Sequence, residues 1–355
     1  MVWGYRASLP NVQRIWLLVT LLAGAFLLGW GPAGASAAAF GPPAGQIWQG
    51  EAGQPISSYV QATGKHPAVY QEFLAWGQYV PAITQDALSA RSRLMIMIST
   101  RFGGTAGGAR GQEKITPGQI AQGQGDSWLV ALQSSVASSG LVTYVRLMAE
   151  MDGYWNAYCA YNADGSPRDA SHSSTQFRRA WKRVTLIFRG GSLRHIDAEL
   201  RRLGMPPLHA GRTGALPRAN VAMVWVPQVA PGDPDVPGNQ PSDYWPGRQW
   251  VDWVGTDFYS FAPNFSGLST FYDQYAGLPF LFGEYAVGET GDDPGFIDQL
   301  FGWVGSHSRV RMMIYNQGVS PTGPFRLSRF PATARALRRH LGSSKFPAFA
   351  PEFQR

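Results

Sequence analysis

The chain of 355 residues contains a single cysteine, Cys159, and only 15% charged residues. One cysteine excludes an intramolecular disulfide framework, and Cys159 has no nearby histidine that would make it a nucleophile. Hydrophobic residues make up 45% of the chain, which excludes a disordered or coiled-coil protein. The composition is ample for the core of one large domain or two ordinary ones.

Motifs of several other chemistries are also missing. No GxGxxG or GxxxxGK[ST] follows an early strand, and no serine lies in a GxSxG elbow. The six histidines are dispersed, without HExxH or paired spacing, so we expect no metal and no cofactor. The formal net charge is +7, but no helix-turn-helix, ribonucleoprotein or zinc-finger pattern accompanies it. We therefore expect a solvated basic exterior and no nucleic-acid partner.

No apolar run of membrane-spanning length is free of charges and helix breakers, except at the N-terminus. There, Arg6 and Arg14 precede an apolar run over 15–30, and the small residues AGASAAA follow it. This is the order of a secretory signal. We predict a signal peptide over 1–39 and a secreted or periplasmic domain over 40–355. A retained membrane anchor is the alternative, since the run is about as long as a short spanning helix.

Eight short apolar or β-rich runs recur along the rest of the chain, separated by helical patterns or loops. Repeated strands and helices indicate parallel strands buried on both faces, which read as continuous apolar runs. Eight of them predict an α/β fold, a single (β/α)8 TIM barrel with extended loops. The runs are GQIWQG (45–50), AVYQEFLAW (68–76), RLMIMIS (93–99), LVTYVRLMA (141–149), VAMVWVP (221–227), VDWVGTDFY (251–259), LPFLFGEYA (278–286) and VRMMIYN (310–316).

The starts of two helices can be predicted between the runs. Thr116 is a predicted N-cap followed by Pro117 at the first helical position, and Ser173 or Ser174 can cap the next long helix. The stretch 190–220 exceeds a typical loop, and its IDAELRRLG core predicts a short extra helix.

Two glutamates close apolar runs, where a barrel collects its active-site residues. Glu150 follows the fourth run and Glu284 lies near the end of the seventh. Two carboxyl groups at one barrel mouth can hydrolyse a glycoside, since one protonates the leaving oxygen and the other attacks the anomeric carbon. Either residue could instead serve as a strand-end salt bridge or a helix cap.

Several segments resemble, in order, the successive blocks of glycoside hydrolase family 26, whose best-known members are secreted β-mannanases. The resemblance runs from about Gly45 to Asn316 and implies a (β/α)8 barrel of the retaining glycosidase clan. The segments are ITPGQIAQGQGDSWL, VRLMAEMDGYW, FRRAWKRV, VAMVWVP, YWPGRQWVDWVGTDFY and LFGEYAVG.

The resemblance also implies roles for individual residues. Glu150 would be the acid/base and Glu284 the nucleophile, Trp155 would line the sugar site, and Tyr259 would hydrogen-bond the nucleophile. That bond would keep Glu284 ionised, while Glu150, poorer in donors and drier, would hold its proton.

The chain departs from the family pattern beside the acid/base. Ala149 stands where family mannanases usually have histidine, and Asp152 stands where asparagine is common. Without this histidine the usual substrate contacts of the family do not carry over, and the assignment of mannan as the substrate stays open.

Strand alternation gives one further expectation. Counting in twos from Glu150 places Met148 and Arg146 inside the barrel, and counting from Tyr259 places Asp257 inside. A guanidinium there must be paired, so we predict that Arg146 contacts Asp257.

Aromatic residues are abundant, with 13 tryptophans, and flat sugar faces stack on aromatic rings. We place Trp155, Tyr161 and Trp245 in the substrate cleft. We expect four other tryptophans to pack in the core: Trp181, Trp225, Trp253 and Trp303.

The sequence thus predicts a secreted monomeric endo-glycosidase whose partner is a polysaccharide or oligosaccharide substrate. Mannan or glucomannan is the first substrate hypothesis. Two alternatives stay open: an enzyme for another β-glycan, including an exopolysaccharide exported by its own cell, and a carbohydrate-binding barrel without catalysis.

Overall fold

Eight parallel strands pair in chain order and close into a barrel, with the last strand hydrogen-bonded to the first. The structure, a computed structural model, describes residues 40–78, 81–101, 113–208, 214–319 and 323–354. Each predicted run contains or overlaps one strand, so the predicted (β/α)8 fold is confirmed. The barrel strands are β1 Trp48–Ala52, β2 Val69–Ala75, β3 Arg93–Ser99, β4 Thr143–Leu147, β5 Val221–Trp225, β6 Trp253–Tyr259, β7 Phe280–Ala286 and β8 Val310–Asn316.

Helices surround the barrel and bury its outer face. The described residues include nine α-helices, and none of them combines the length and apolar character needed to cross a membrane. They are α1 Ile56–Thr63, α2 Pro81–Ser89, α3 Pro117–Ala121, α4 Asp126–Ser139, α5 Ser174–Arg189, α6 Leu193–Arg202, α7 Phe265–Gln274, α8 Pro294–Ser306 and α9 Pro331–Leu341.

The predicted helix starts are confirmed. Thr116 caps α3 in a capping box with Gln119, and the Ser173 hydroxyl accepts the N–H of Gln176 at the start of α5. The extra helix predicted within 190–220 is α6. The described stretch between β5 and β6, residues 226–252, departs from the strand-helix pattern because it contains 3-10 turns and no α-helix.

The barrel interior changes from apolar to polar along its axis. At the end where the strands begin, the carbonyl oxygen of Phe40 accepts hydrogen bonds from Trp48, Arg93 and Tyr144. Apolar side chains fill the layers above it, among them Met95 and Trp253. The polar side chains lie toward the carboxyl ends of the strands, where barrel enzymes build their sites.

Three of the four tryptophans expected in the core, Trp181, Trp225 and Trp253, are fully buried, and Trp303 packs partly buried against the core. The predicted signal peptide, residues 1–39, lies outside the described residues, so its boundary stays a prediction.

A buried ion pair joins α4, α5 and the segment after α6. Arg183 and Asp126 pair with side chains that are 0% and 2% exposed, and Arg183 also donates to the carbonyls of Pro206 and Pro207. Removing one partner leaves an uncompensated charge in the interior. The pair therefore fixes how these segments pack.

We expect Arg183→Met to lower the free energy of unfolding by about 3–5 kcal/mol, because a buried carboxylate loses its guanidinium. Denaturant unfolding measures this. The matched control is Arg202→Ala, which removes an exposed arginine paired with Glu199, and we expect little change there. Equal effects of the two substitutions would contradict the prediction.

Candidate active site

Glu150 lies just past β4 in a backbone conformation that L-residues rarely adopt. Its φ is 51° and that of Met148 is 47°, a strain that persists only where surrounding contacts hold it. The N–H of Glu150 donates to Val226 O over 2.7 Å, at the end of the neighbouring strand β5. The strand alternation is therefore lost after Leu147, and the predicted inward position of Met148 is wrong. Met148 packs in the outer cluster between barrel and helices.

The Glu150 carboxylate has one indole donor. Trp155 Nε1 donates to Glu150 Oε2 over 2.8 Å. Gly153 makes this possible, because a Cβ there would lie 2.4 Å from the Trp155 ring. Burial raises the pKa of Glu150, and the negative charge of Glu284 raises it further, while the Trp155 bond acts in the opposite direction.

Glu284 is turned into the barrel mouth by an irregularity in β7. Thr256 of β6 pairs with Phe282, but the next residue, Asp257, pairs with Glu284, so Gly283 is an extra residue. The pairing of β7 with β8 shifts at the same place. Such a bulge re-aims side chains and is common beside active sites.

Four side chains donate hydrogen bonds to the Glu284 carboxylate, which is 7% exposed as a residue. The predicted bond from the Tyr259 hydroxyl is confirmed, at 2.5 Å. Asn316 Nδ2 donates over 2.6 Å, Gln71 Nε2 over 3.3 Å, and Arg146 completes the set. Donors of this kind stabilise the anionic form of a carboxylate.

The predicted pairing of Arg146 with Asp257 is confirmed. The Arg146 side chain is 1% exposed and bridges Asp257 and Glu284 through different guanidinium nitrogens. Although burial opposes the charged form, the two carboxylates raise the pKa of Arg146. Each partner compensates for the desolvation of the other.

The charges of this cluster also act on Asp257 and Glu150. Burial raises the pKa of Asp257, against the influence of Arg146, and the negative charges of Glu284 and Glu150 raise it further. The positive charge of Arg146 acts on the pKa of Glu150 in the opposite direction to burial. The three carboxyl groups thus influence one another around a single guanidinium.

The two glutamates differ in the number of their donors. The Trp155 indole is the side-chain donor described for Glu150, whereas Glu284 accepts hydrogen bonds from four side chains. The expectation that Glu150 is poorer in donors is confirmed. Burial is the largest influence on the pKa of Glu150, but the surface of the residue is half-buried and that of Glu284 is buried, so the greater dryness of Glu150 stays a prediction.

Two aromatic residues placed in the cleft by the sequence make their described contacts elsewhere. The Tyr161 hydroxyl donates to Pro237 O over 2.9 Å, in the connection between β5 and β6. Trp245 packs edge-on against Trp225 and tilted against Tyr275, with ring centroids 4.9 Å apart in each case. No hydrogen bond described for either residue reaches Glu150 or Glu284, so their part in substrate binding stays a prediction.

Sequence reasoning missed Gln71 and Asn316, both of which contact Glu284. Gln71 interrupts the apolar run of β2, and Asn316 closes that of β8. The signal that identified Glu150, a polar residue at the end of an apolar run, also marks Asn316. Nothing in the sequence indicated that both side chains would converge on one carboxylate.

The arrangement provides one carboxyl group whose pKa is raised by burial, Glu150, and one that accepts hydrogen bonds from four side chains, Glu284. A general acid needs a raised pKa, and a nucleophile needs to be held in position. Within the described part of the chain, no group of three or more histidine, cysteine, aspartate or glutamate side chains is arranged to hold a metal ion.

Comparison with known proteins first defines the class of fold. Solved structures that share the barrel include a mannanase from Bacillus subtilis, at 15% identity and a TM-score of 0.54 over 87% of this chain and 88% of that one. A family 26 β-mannanase from Bacteroides ovatus matches at 14% identity, with a TM-score of 0.52 over 87% and 91%. A β-mannanase from a symbiotic protist of the termite Reticulitermes speratus matches at 12%, with a TM-score of 0.51 over 87% and 90%. Likeness at such identities establishes the (β/α)8 fold.

Sequence similarity to a known protein covers a smaller part of the chain than the structural similarity does. A β-1,3-xylanase from an Alcaligenes species is 28% identical over 145 residues, which are 41% of this chain. The match spans 22% of the length of that relative. No family model matches the chain.

The bulge in β7 generates a test of the site's packing. A Cβ at Gly283 would lie 2.9 Å from Asp257 Oδ1 and 3.0 Å from Arg146 Nε, and both side chains are buried. We expect Gly283→Ala to lower the free energy of unfolding by about 1–3 kcal/mol, as overpacking does.

Thermal unfolding with matched variants measures this effect. A Cβ at Gly302, in α8, would meet no neighbouring side chain or element of the described chain within 4 Å, so Gly302→Ala serves as the control and should be neutral or stabilising. A Gly283→Ala protein as stable as wild type would contradict the prediction, because Arg146 and Asp257 would then accommodate the added methyl group without a measurable loss of stability.

Proposed function

We propose that this protein is a retaining glycoside hydrolase of the family 26 type that cleaves a β-linked polysaccharide. The observation that carries the proposal is the pair of glutamates after β4 and on β7, one with a raised pKa and one surrounded by four donors. The family resemblance of the surrounding segments and the mannanases that share the fold support it.

In the first step, a Glu284 oxygen attacks the anomeric carbon as the bond from that carbon to the leaving oxygen breaks. Glu150 gives its proton to that oxygen, which leaves as an alcohol, and the sugar stays bound to Glu284 as an ester. In the second step, Glu150 takes a proton from water, and the water oxygen attacks the same carbon. Glu284 departs as a carboxylate and Glu150 regains its proton, so the enzyme returns to its starting state.

The surrounding residues keep the two carboxyl groups distinct. Arg146, Asn316, Gln71 and Tyr259 hold the Glu284 carboxylate in position through their hydrogen bonds. Glu284 pairs with Arg146, and the charges of Arg146 and Glu284 both act on Glu150. This proximity supports the short separation of about 5–5.5 Å found in retaining enzymes over the longer one of inverting enzymes.

For the substrate we propose β-1,4-mannan or glucomannan first, since solved structures with this fold include mannanases. The curated relative is named for β-1,3-xylan, and Ala149 replaces the usual histidine, so a different β-glycan or an exported exopolysaccharide is the second candidate. The N-terminal sequence pattern supports a secreted enzyme.

A panel of polysaccharides tests the proposal directly. Wild-type protein is incubated with mannan, glucomannan, β-1,3-xylan and mixed β-glucans, and products are sized by chromatography while their anomeric form is followed by NMR. Release of oligosaccharides with retained configuration is expected. Binding without hydrolysis across the panel would favour a non-catalytic barrel, and inverted products would exclude the mechanism.

The roles proposed for the two glutamates predict that the activities of their alanine variants depend differently on the leaving group of the substrate. Glu150→Ala should lower kcat on polysaccharide by roughly 10²–10⁴-fold, as loss of acid catalysis does. The loss should be much smaller on an aryl glycoside with an acidic phenol, because that leaving group needs no proton. Glu284→Ala should abolish both activities with the fold intact by circular dichroism. Equal losses for Glu150→Ala on both substrates would contradict its assignment as the acid.

Trp155 provides a test by pH. Its indole donates to the Glu150 carboxylate and so lowers the pKa of that group. In Trp155→Phe the pKa of Glu150 should rise, and since the acid form starts the reaction, the alkaline limb of kcat/KM should move to higher pH. Trp303→Phe, which removes an indole bonded to Ser269 in the helix layer, should leave the limb in place. A shift toward lower pH in Trp155→Phe would contradict the role given to this bond.

A further inference from the structure

Phe261 is an exposed aromatic residue two positions after β6. It is 44% exposed, and it is the only aromatic among the clearly exposed large hydrophobic side chains in the described part of the chain. Its neighbours in sequence leave β6 at the barrel mouth, directly after Tyr259. A single exposed apolar residue is ordinary on a protein surface, so what distinguishes Phe261 is what its ring stacks against.

The ring of Phe261 continues the aromatic surface that begins at the Glu284 carboxylate. Its centroid lies 5.1 Å from that of Tyr259, with 19° between the planes. This is the offset stacking that aromatic pairs favour. Because the Tyr259 hydroxyl donates to Glu284, a single side chain separates Phe261 from the proposed nucleophile.

Phe325, from the connection after β8, completes and supports this surface. Its ring lies 5.2 Å from Tyr259 and 6.5 Å from Phe261, nearly parallel to the latter at 22°. A Cβ at Gly288 would lie 2.7 Å from the Phe325 ring, so the backbone after β7 packs directly against that ring. Phe325 is partly buried against the core. The support is therefore fixed, while the Phe261 ring meets solvent.

We propose that Phe261, supported by Tyr259 and Phe325, forms a sugar-stacking subsite that binds an uncharged pyranose ring of the substrate chain beyond Glu284. The inference rests on the proposed glycosidase function and adds a subsite to the same cleft. A phenylalanine ring presents a flat apolar face without hydrogen-bonding groups, which suits the CH face of a pyranose. The subsite thus contributes affinity only for chains long enough to reach it.

Binding measured without turnover tests the subsite. The background is Glu284→Gln, and the probes are β-1,4-manno-oligosaccharides and β-1,3-xylo-oligosaccharides from disaccharide to hexasaccharide, titrated by calorimetry. Adding Phe261→Ala should weaken the longest bound probe about fivefold to tenfold, the equivalent of one lost stacking contact, and leave the shortest bound probe unchanged. Phe261→Trp should retain the affinity for long probes.

A matched control separates stacking from loss of exposed apolar surface. Leu88 lies on α2 and is 38% exposed, so Leu88→Ala in the same background should leave every affinity unchanged. Thermal unfolding confirms that each variant is folded.

Three results would overturn the subsite: unchanged long-probe affinity in Phe261→Ala, equal loss for all probe lengths, or failure of Phe261→Trp to bind long probes as the parent does. Hydrolysis by the wild type together with any of these would leave the proposed function standing. If the wild type neither binds these probes nor cleaves any polysaccharide of the panel described above, the proposed function and the subsite fail together.

Discussion

The site depends on one buried guanidinium. Arg146 lies inside the barrel on β4, where an unpaired cation would be very costly. Its compensation comes from Asp257 on β6 and Glu284 on β7, so three strands are held in register by charge at the level where the cleft opens. The close approach requires a residue without a side chain at 283, and the extra residue in β7 both supplies that glycine and turns Glu284 inward.

This cluster gives two glutamates of the same chemistry different surroundings. Arg146 and three uncharged donors surround Glu284. Glu150 accepts from a single indole, and burial and the charge of Glu284 both raise its pKa. Burial, donors and neighbouring charge are the three influences that shift the pKa of a carboxyl group, and the two glutamates differ in their donors and in their distance from Arg146. The left-handed backbone at Glu150 holds its side chain in this environment.

Much of the fold could be predicted from the sequence. Continuous apolar runs identified all eight strands, since parallel strands buried on both faces need apolar residues throughout. Thr116 and Ser173 identified helix starts because their hydroxyl groups satisfy free backbone N–H groups locally. The pairing of Arg146 with Asp257 followed from alternation along β4 and β6, which holds as long as the strands are regular. Strand alternation gave the wrong direction for Met148, which lies one residue beyond the regular part of β4.

The sequence by itself determined the barrel and the positions of Glu150 and Glu284 at strand ends, because hydrophobic periodicity and strand-end polarity are local properties of the chain. Only the tertiary structure decided that Gln71 and Asn316 join the Glu284 carboxylate, that Tyr161 and Trp245 make their contacts elsewhere, and that Phe261 lies beside Tyr259 and Phe325. These contacts join residues from β2, β6, β8 and their connections, far apart in the chain. Their meeting is set by barrel closure and by the bulge in β7, which no local pattern of residues encodes.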